Sequence, residues 1–511
     1  MAEAGNTNPE ALLEELDPSQ REVATHQHGA LCVLAGAGTG KTRAITYRIA
    51  YGVKTGEVDP ANILALSFTQ KAAGEMRTRL EALGVPGVET RTFHSAALAQ
   101  ARYFWPKVVG GKMLRIVSGK ASLVTAAAAR LGLDPSKAQV RDLAGEIEWM
   151  KVSLLTPEDY PAVARVSGRV GVANLPPERI ADLADAYEDA KADAEALDFE
   201  DILLVCAGML DEREDVARAV QARYQHFVVD EYQDVSPLQH YLLLRWLGKR
   251  RNLAVVGDAA QTIYSFAGAT PSFLTDFTRG YPEAKVVELT RDYRSTPQIV
   301  DLANQLLAGA KGADGEPLGG TVKLVSQREN GPAVQWFMAE DDETEAREVA
   351  RRAAALVGEG MSASDIAVLF RTNSQAALFG VELTRVGLRH VVKDQLRGGF
   401  EADSPAGGER GTRPDAVTLA SLHSAKGLEW EAVFLVGASE GILPISLAVT
   451  PAQIEEERRL TYVGVTRART LLTVSFAKAK RFGGAGDREA CRFLAPFWSR
   501  GEVEALSPAR H

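Results

Sequence analysis

The sequence predicts an α/β protein with parallel sheets in two α/β units and a helical insertion in the first. Short apolar runs such as 30–34 are each followed by a polar turn and a stretch of helical periodicity, the pattern of buried parallel strands and their crossover helices. This pattern stops between about 103 and 193, where the chain is Ala-rich and helical, and returns from 224. The length of 511 residues exceeds the ~250–300 residues that one hydrophobic core supports.

The composition leaves most classes of partner open, but it favours a cytoplasmic protein. The net charge of −9 and the pI of about 5.6 exclude a wholly basic surface but leave a locally basic groove open. No apolar run approaches the ~20 residues that cross a bilayer, and the acidic N-terminal stretch does not read as a signal peptide. Cys32, Cys206 and Cys491 lack metal-site spacing. We therefore expect free thiols in a cytoplasmic protein without a membrane segment.

The stretch 34–43 (LAGAGTGKTR) has the features of a phosphate-binding loop. It lies between a predicted strand and a predicted helix, which is the context that this motif requires. Glycines allow backbone N–H groups to turn towards a phosphate, and the helix N-terminus adds partial positive charge. Lys41 would reach the β- and γ-phosphates and Thr42 would bind Mg²⁺, whereas the alternative is a Gly-rich surface turn. The residues expected at the nucleotide are Ala35, Gly36, Gly38, Thr39, Gly40, Lys41, Thr42 and Arg43.

Two further predicted strand ends carry residues suited to nucleotide hydrolysis. The stretch 224–234 (YQHFVVDEYQD) is an apolar strand followed by Asp230 and Glu231. The first carboxylate can hold the Mg²⁺ shell, and the second can orient and deprotonate an attacking water. Gln261 follows the strand predicted at 252–258 and could contact a γ-phosphate.

Gln20 is a candidate reader of a nucleotide base. It follows Asp17 and Pro18, which read as the N-cap and first residue of a helix. A Gln amide offers a donor and an acceptor side by side, which matches the N6/N7 edge of adenine. The alternative is an exposed Gln at a helix start.

Aromatic residues occur where two other strands are expected to end. The strand at 63–69 includes Phe68, and the strand at 88–95 includes Phe93 and His94. Open α/β sheets bind ligands at such ends, although each of these residues, taken singly, is more often a core residue than a platform for a base. In the second half we predict strands at 321–325, 366–370 and 433–436, a solvated helix face at 340–348, a flexible Gly/Pro-rich loop at 396–415 and a helix at 455–469.

Taken in order, these motifs resemble those of the bacterial superfamily 1A DNA helicases of the UvrD, PcrA and Rep type. The resemblance extends from about residue 16 to about residue 484. It rests on Gln20, AGAGTGKT, SFTQKAAGEM, TFHS, LDFED, VVDEYQD, VGDAAQTIYSFAGA, DYRST, FRTNSQ, SLHSAKGLEW and EEERRLTYVGVTRA.

The resemblance implies two RecA-like domains with ATP bound between them. Domain 1A would comprise 1–102 and 194–285, with a helical insertion, 1B, at 103–193. Domain 2A would comprise 286–395 and 416–490, followed by a tail at 491–511. A second insertion, 2B, is usual in this family, and here only the loop at 396–415 stands in its place.

The resemblance also assigns roles at the nucleotide. Gln20 would read adenine, Tyr293 would stack on it, and Glu429 would contact the nucleotide. Arg294 and Arg467 match the two arginine fingers, fixed cations that stabilise the charge of phosphoryl transfer. ATP and Mg²⁺ are the implied cofactors, with Thr42 and Asp230 at the metal. The implied catalytic residues are Lys41, Asp230, Glu231, Gln261, Arg294 and Arg467.

On the DNA side the family stacks single-stranded bases on aromatic residues. Stacking is worth ~1–3 kcal/mol per base and does not depend on sequence, as a motor requires. The implied partners are single-stranded DNA and 3′-tailed duplex, with repair proteins as candidate partners of a monomer that steps 3′ to 5′ in DNA repair. The matching positions are Phe68, Thr92, His94, Tyr264, Phe266, Arg371, Asn373, His423 and Phe482.

Three departures from the family pattern bear on this expectation. Ala267 stands where an Arg is common, two acidic residues are replaced in the stretch 258–261 (DAAQ), and 2B is missing. The leading hypothesis is an ATP-dependent 3′–5′ DNA helicase. The alternative is a DNA-stimulated ATPase, translocase or clamp that displaces proteins without processive unwinding. An unrelated P-loop ATPase would require the DNA-side motifs to be coincidental.

Overall fold

The computed structural model describes residues 8–312, 315–393, 415–480, 486–498 and 503–506. It divides into two compact units. The first unit comprises Met1–Leu34, Lys41–Asp258 and Tyr264–Leu289, and the second comprises Ala35–Gly40, Ala259–Ile263 and Thr290–His511. Each unit contains its own predominantly parallel sheet, so the predicted α/β class is confirmed.

The first unit is built on a six-stranded sheet in the order β3-β2-β6-β7-β1-β8, with a separate pair, β4 and β5. The printed pairs β1–β7, β7–β6, β6–β2 and β2–β3 are parallel, so the carboxyl ends of β2, β6 and β7 share one edge. Phe68, Asp230 and Asp258 follow these three ends. The strands are β1 (Ala30–Ala35), β2 (Ile63–Ser67), β3 (Glu89–Thr92), β4 (Arg115–Ile116), β5 (Ala196–Leu197), β6 (His226–Val229), β7 (Leu253–Gly257) and β8 (Lys285–Leu289).

The helices of the first unit include the insertion expected from the Ala-rich stretch. There, α6 to α9 enclose a core of their own that includes Leu143, Tyr160 and Tyr187. The predicted start of 1B at 103 falls inside α5. The helices are α1 (Pro9–Glu14), α2 (Pro18–Thr25), α3 (Lys41–Lys54), α4 (Gln70–Ala82), α5 (Phe93–Val108), α6 (Ala121–Arg130), α7 (Lys137–Val152), α8 (Tyr160–Val166), α9 (Pro177–Asp193), α10 (Phe199–Glu212), α11 (Glu214–Arg223), α12 (Pro237–Leu247), α13 (Ser272–Thr275) and α14 (Phe277–Gly280).

The second unit contains a seven-stranded sheet in the order β13-β14-β12-β15-β16-β11-β17, in which all neighbouring strands are parallel. Its strands are β9 (Arg291–Asp292), β10 (Val325–Ser326), β11 (Gln335–Asp341), β12 (Ile366–Phe370), β13 (His390–Lys393), β14 (Val417–Ser421), β15 (Trp430–Leu435), β16 (Ala468–Ala479) and β17 (Val503–Leu506). Its helices are α15 (Pro297–Ala308), α16 (Asp342–Gly358), α17 (Ala376–Arg385), α18 (Pro451–Val465) and α19 (Ala495–Trp498).

Several predicted elements had the wrong bounds. The strand expected at 63–69 ends at Ser67, and the helix expected at 455–469 is Pro451–Val465, so Arg467 lies beyond its end. The strand expected at 88–95 ends at Thr92, because Thr92 and Ser95 form a capping box that starts α5. Phe93 and His94 therefore lie in a helix. The strand expected at 321–325 is reduced to β10, because the Asn304 side chain hydrogen bonds both the N–H and the C=O of Leu324 and so replaces a strand partner.

The solvated helix face predicted at 340–348 was wrong for three of its charged residues. Asp341 is buried at the end of β11, where its side chain caps α16. Glu345 and Glu348 on α16 are buried. Glu345 Oε1 accepts hydrogen bonds from Gly437 N at 2.9 Å and Ser475 Oγ at 2.6 Å, and burial raises the pKa of Glu345 to about 7. Glu348 is bonded by the guanidinium groups of Arg351 and Arg352. Specific donors therefore make burial of this charged run possible.

The three cysteines are free, as predicted, and all three are buried. Within the described ranges, no helix has the length and apolar character needed to cross a membrane. The loop predicted at 396–415 lies outside the described residues except for Asp415.

Candidate functional site

The phosphate-binding loop follows β1 and leads directly into α3. Gly38 and Gly40 have φ of 72° and 79°, a left-handed conformation that glycine adopts without steric cost. Thr39 Oγ1 donates to Gly36 O at 2.9 Å and closes the turn. A Cβ on Gly38 would lie 2.6 Å from Asp292 Oδ1, so a side chain at this position would collide with its neighbour. The glycines predicted from the motif are therefore required by the backbone and its surroundings.

Lys41 and Thr42 open α3, and Asp230 follows β6 directly. Thr42 Oγ1 donates to Asp230 Oδ2 at 3.3 Å, so the two predicted metal ligands are neighbours. Burial first, and then the adjacent Glu231 carboxylate, raise the pKa of Asp230 to about 7, while Lys41 opposes the shift. A hydroxyl and a carboxylate are oxygen ligands of the kind that Mg²⁺ prefers, and a cation here would offset the buried negative charge. The residues therefore fit a Mg²⁺ ion.

Glu231 is held in an uncommon backbone conformation. Its φ of 52° and ψ of 44° lie in the left-handed region, which is rare for a residue with a side chain. Gln233 orients its carboxylate, because Gln233 Nε2 donates to Glu231 Oε2 while Gln233 Oε1 accepts from Asp258 N at 3.0 Å. Sequence analysis assigned no role to Gln233, although it lies within the stretch VVDEYQD.

Gln20, the predicted reader of adenine, and Arg43, at the end of the phosphate-binding loop, both have defined partners in the first unit. Asp17 caps α2 by accepting from Gln20 N at 2.8 Å, as predicted. Gln20 is only 3% exposed, so the alternative of an exposed Gln is wrong. Arg43 Nη2 donates to Glu15 Oε2 at 3.1 Å. Adenine recognition by Gln20 stays a prediction.

The second unit brings Gln261 and the two predicted finger arginines into one hydrogen-bonded cluster. Arg467 is buried and donates to Val463 O at 3.0 Å, Leu428 O at 3.2 Å and Gln261 Oε1 at 3.4 Å. Arg294 pairs with Glu429 and donates to Thr466 O at 3.2 Å. The cluster presents two guanidinium groups held in fixed positions.

Glu429 and Tyr293 also belong to this region of the second unit. Burial opposes ionisation of Glu429, but Arg294 outweighs that effect and lowers the pKa of Glu429 below its ordinary value. Tyr293 N donates to Gly38 O at 3.0 Å, and the Tyr293 side chain is exposed. The predicted nucleotide residues of the second unit are therefore close to the glycine loop segment of the same unit.

Three aromatic residues form an exposed group in the first unit, which we call the aromatic surface. The Phe68 and Tyr264 rings are stacked with centroids 5.4 Å apart, and Tyr264 contacts Phe266 edge-on at 6.1 Å. Phe68 is 42% exposed and Phe266 is 55% exposed. A contiguous group of exposed rings is a candidate binding surface.

A second ring pair lies at the starts of two helices of the first unit. His94 near the start of α5 stacks on Phe199, the first residue of α10, with centroids 3.7 Å apart. Burial, and to a smaller extent Lys120, lower the pKa of His94 to about 3, so its ring is neutral near pH 7. Phe199 was missed as a site residue, although LDFED was one of the motifs. Thr92 caps α5, with Oγ1 accepting from Ser95 N.

The remaining DNA-side predictions fall in the second unit. Arg371 makes a two-pronged ion pair with Glu457, at 2.7 Å for the closest atoms. His423 lies near it, and burial, then Arg371 and Lys426, lower the pKa of His423 to about 3. Asn373 is exposed, and Phe482 lies outside the described residues.

The fold and these residues define a P-loop α/β protein that carries an exposed aromatic surface. The model of the UvrD/REP helicase N-terminal domain matches residues 16–282, and that of the UvrD-like helicase C-terminal domain matches residues 287–397 and 405–479. The chain belongs to the UvrD-like helicase family.

Named relatives agree with this assignment. The ATP-dependent DNA helicase UvrD2 of Mycobacterium tuberculosis is 41% identical over 94% of this chain and 81% of its own length. The ATP-dependent DNA helicase PcrA of Bacillus subtilis is 27% identical over 95% of this chain and 86% of its own length. The ATP-dependent DNA helicase UvrD1 of M. tuberculosis is 31% identical over 77% of this chain and 51% of its own length.

The same comparisons show a difference in length. The alignment with M. tuberculosis UvrD2 extends over 575 positions, more than the 511 residues of this chain. That relative therefore contains segments that this chain lacks. The match to the C-terminal family model is interrupted between 397 and 405, inside the interval where the resemblance predicted a replaced domain.

Proposed function

We propose that this UvrD-like helicase is an ATP-driven motor that steps 3′ to 5′ along single-stranded DNA and opens 3′-tailed duplexes during DNA repair. Membership of the family makes the chain an ATP-dependent DNA helicase. The observation that carries the proposal is the aromatic surface, which lies in the same unit as Lys41, Asp230 and Glu231. We further propose that it acts as a cytoplasmic monomer that repair proteins recruit.

The hydrolytic residues supply four separate functions in this proposal. The loop glycines and Lys41 bind the phosphates, and Thr42 and Asp230 hold Mg²⁺, which would neutralise phosphate charge. Glu231 accepts a proton from the attacking water. Arg294 and Arg467 stabilise the negative charge that develops on the transferred phosphoryl group, and Gln261, hydrogen bonded to Arg467, contacts it.

The aromatic surface supplies the grip on DNA. Phe68, Tyr264 and Phe266 stack on bases, which every nucleotide sequence presents equally. The ring pair of His94 and Phe199 offers a second stacking position in this proposal. Because stacking requires no particular base, the enzyme can move along any strand.

A second candidate function is translocation without duplex unwinding. Its specific support is the difference in length, because the M. tuberculosis relative carries segments that this chain lacks. In that case the protein would move along single strands and displace bound proteins, and unwinding would require a partner.

The two candidates are separated by measuring ATP hydrolysis with and without single-stranded DNA, beside unwinding of 3′-tailed and 5′-tailed duplexes. Stimulation together with unwinding of only the 3′-tailed duplex supports the proposed helicase. Stimulation without unwinding supports the second candidate. Absence of stimulation contradicts the role of the aromatic surface, and preferred unwinding of the 5′-tailed duplex contradicts the direction.

A further inference from the structure

The C-terminal end of α7, in the helical insertion, contains Lys151, a largely enclosed lysine that binds three carboxylates. Lys151 Nζ lies 2.6 Å from Asp198 Oδ2, 2.8 Å from Asp201 Oδ1 and 2.9 Å from Glu188 Oε1. Asp198 is the N-cap of α10, and Asp198 and Asp201 form its capping box. The lysine thus fixes the start of α10 to the insertion.

Other groups of the insertion strengthen this attachment. Lys191 Nζ lies 2.6 Å from Asp201 Oδ2, and Tyr187 Oη donates to Asp198 Oδ2 at 2.9 Å. Burial disfavours the charged form of Lys151, but Asp198 and Asp201 outweigh it and raise the pKa of Lys151. Removing one partner from such a buried pair leaves an uncompensated charge, so the geometry is tightly constrained.

The attached helix start carries one half of the ring pair. Phe199 directly follows Asp198 and stacks on His94 at 3.7 Å. A displacement of Lys151 would therefore move the Asp198 cap and, with it, the Phe199 ring.

The same end of α7 also touches the segment that carries Phe266. Gly268 has a φ of 84° and ends the turn Ser265–Ala267. A Cβ on Gly268 would lie 2.6 Å from Val152 Cγ2 and 3.7 Å from Ser153 Oγ. The turn therefore packs against α7 so closely that only a glycine fits between them.

We propose that residues 151–153 are a positioning site through which the helical insertion sets the geometry of both DNA-stacking groups, Phe199 with His94 and Phe266 with Tyr264. Lys151 acts on the first group through Asp198, and Val152 acts on the second through Gly268. This inference rests on the proposed DNA-binding function. It adds that a movement of the insertion changes the grip on single-stranded DNA at both places together.

The sharper test is Gly268→Ala, which introduces the Cβ that collides with Val152. Its matched control is Gly171→Ala, because Gly171 also has a positive φ, of 72°, but a Cβ there meets nothing within 4 Å. We expect the oligo(dT) concentration that half-saturates ATPase stimulation to rise about tenfold in Gly268→Ala, the effect of losing about one stacked base. The half-saturating concentration in Gly171→Ala should equal that of the unmodified protein. The DNA-independent ATPase rate should be unchanged in both variants. Equal half-saturation in the two variants would overturn the proposal at Gly268.

Lys151 is tested by Lys151→Met, with Lys151→Arg as the charge-conserving variant. Arg130→Met serves as a control in the same insertion, because the pair Arg130–Asp193 is exposed. We expect Lys151→Met to raise the half-saturating oligo(dT) concentration. Lys151→Arg should keep this concentration close to that of the unmodified protein, and Arg130→Met should not change it. If Lys151→Met does not fold, Gly268→Ala decides the proposal, because it leaves every ion pair in place. A folded Lys151→Met with normal half-saturation contradicts the role of Lys151.

Phe266→Ala, measured in parallel, separates failure of this inference from failure of the proposed function. A raised half-saturating concentration in Phe266→Ala but not in Gly268→Ala refutes positioning by α7 and leaves the DNA-binding role of the aromatic surface standing. An unchanged half-saturating concentration in both variants refutes that DNA-binding role itself.

Discussion

The phosphate-binding residues and the aromatic surface of the first unit are assembled in different ways. Lys41 with Thr42 and Asp230 with Glu231 each follow a strand of one sheet within a few residues. The DNA-side rings come from segments far apart in the chain and depend on how α5, α7 and α10 pack. The residues proposed for phosphate chemistry are thus held by short motifs, whereas the rings proposed to stack on DNA are held by contacts between distant segments.

The largest expected effect tests whether the two regions are separable. Lys41→Ala should lower the ATP turnover number at least ~100-fold, because it removes a fixed charge from the phosphates. Binding of fluorescent oligo(dT) should stay nearly unchanged, since Lys41 does not belong to the aromatic surface. Parallel losses of hydrolysis and DNA binding would show that the regions act as one site.

An intermediate effect would show that the phosphate region also depends on a contact between distant segments, which Gln233 makes between Glu231 and the Asp258 backbone. Gln233→Ala should lower turnover about tenfold, because a hydrogen bond to the Glu231 carboxylate is worth ~1.5–3 kcal/mol. The KM for ATP should change little. Gln239→Ala, which removes an amide that caps α12, is the control. Similar turnover in Gln233→Ala and the control would argue against orientation of Glu231 by Gln233.

The smallest expected effect concerns the aromatic surface. Phe266→Ala should lower DNA-stimulated turnover several-fold more than DNA-independent turnover, since one stacked base is worth ~1–3 kcal/mol. Tyr103→Ala, at an exposed aromatic residue on α5, is the control. A uniform decrease with and without DNA would count against stacking by Phe266.

Sequence reasoning predicted the parts of the molecule that depend on neighbouring residues. The P-loop strand and helix, the Asp17 cap and the strand before Asp230 are local features, and all are observed. Phe199 and Gln233 were missed because their roles depend on partners from other segments, His94 and the Asp258 backbone. Likewise, the apolar stretch 321–325 favours a strand until the Asn304 side chain takes the backbone groups of Leu324.

Buried charged residues were the other feature that the sequence did not predict. The run 340–348 is typical of a solvated surface, yet Glu345 is enclosed because Gly437 and Ser475 supply donors from a distant part of the chain. The nucleotide, metal and DNA roles of all the site residues stay predictions, including those of Gln20, Tyr293, Arg371, Asn373 and His423, which rest on the family resemblance.

The left-handed backbone at Glu231 has opposite consequences for thermal stability and for ATP turnover. A residue with a side chain held in this conformation costs about 1–3 kcal/mol, which glycine would largely recover. Selection for thermostability alone would therefore favour loss of the carboxylate that we propose activates water. An engineer seeking a more stable form of this enzyme must measure hydrolysis in every round, because the substitution that relaxes the backbone at 231 also removes this proposed catalytic group.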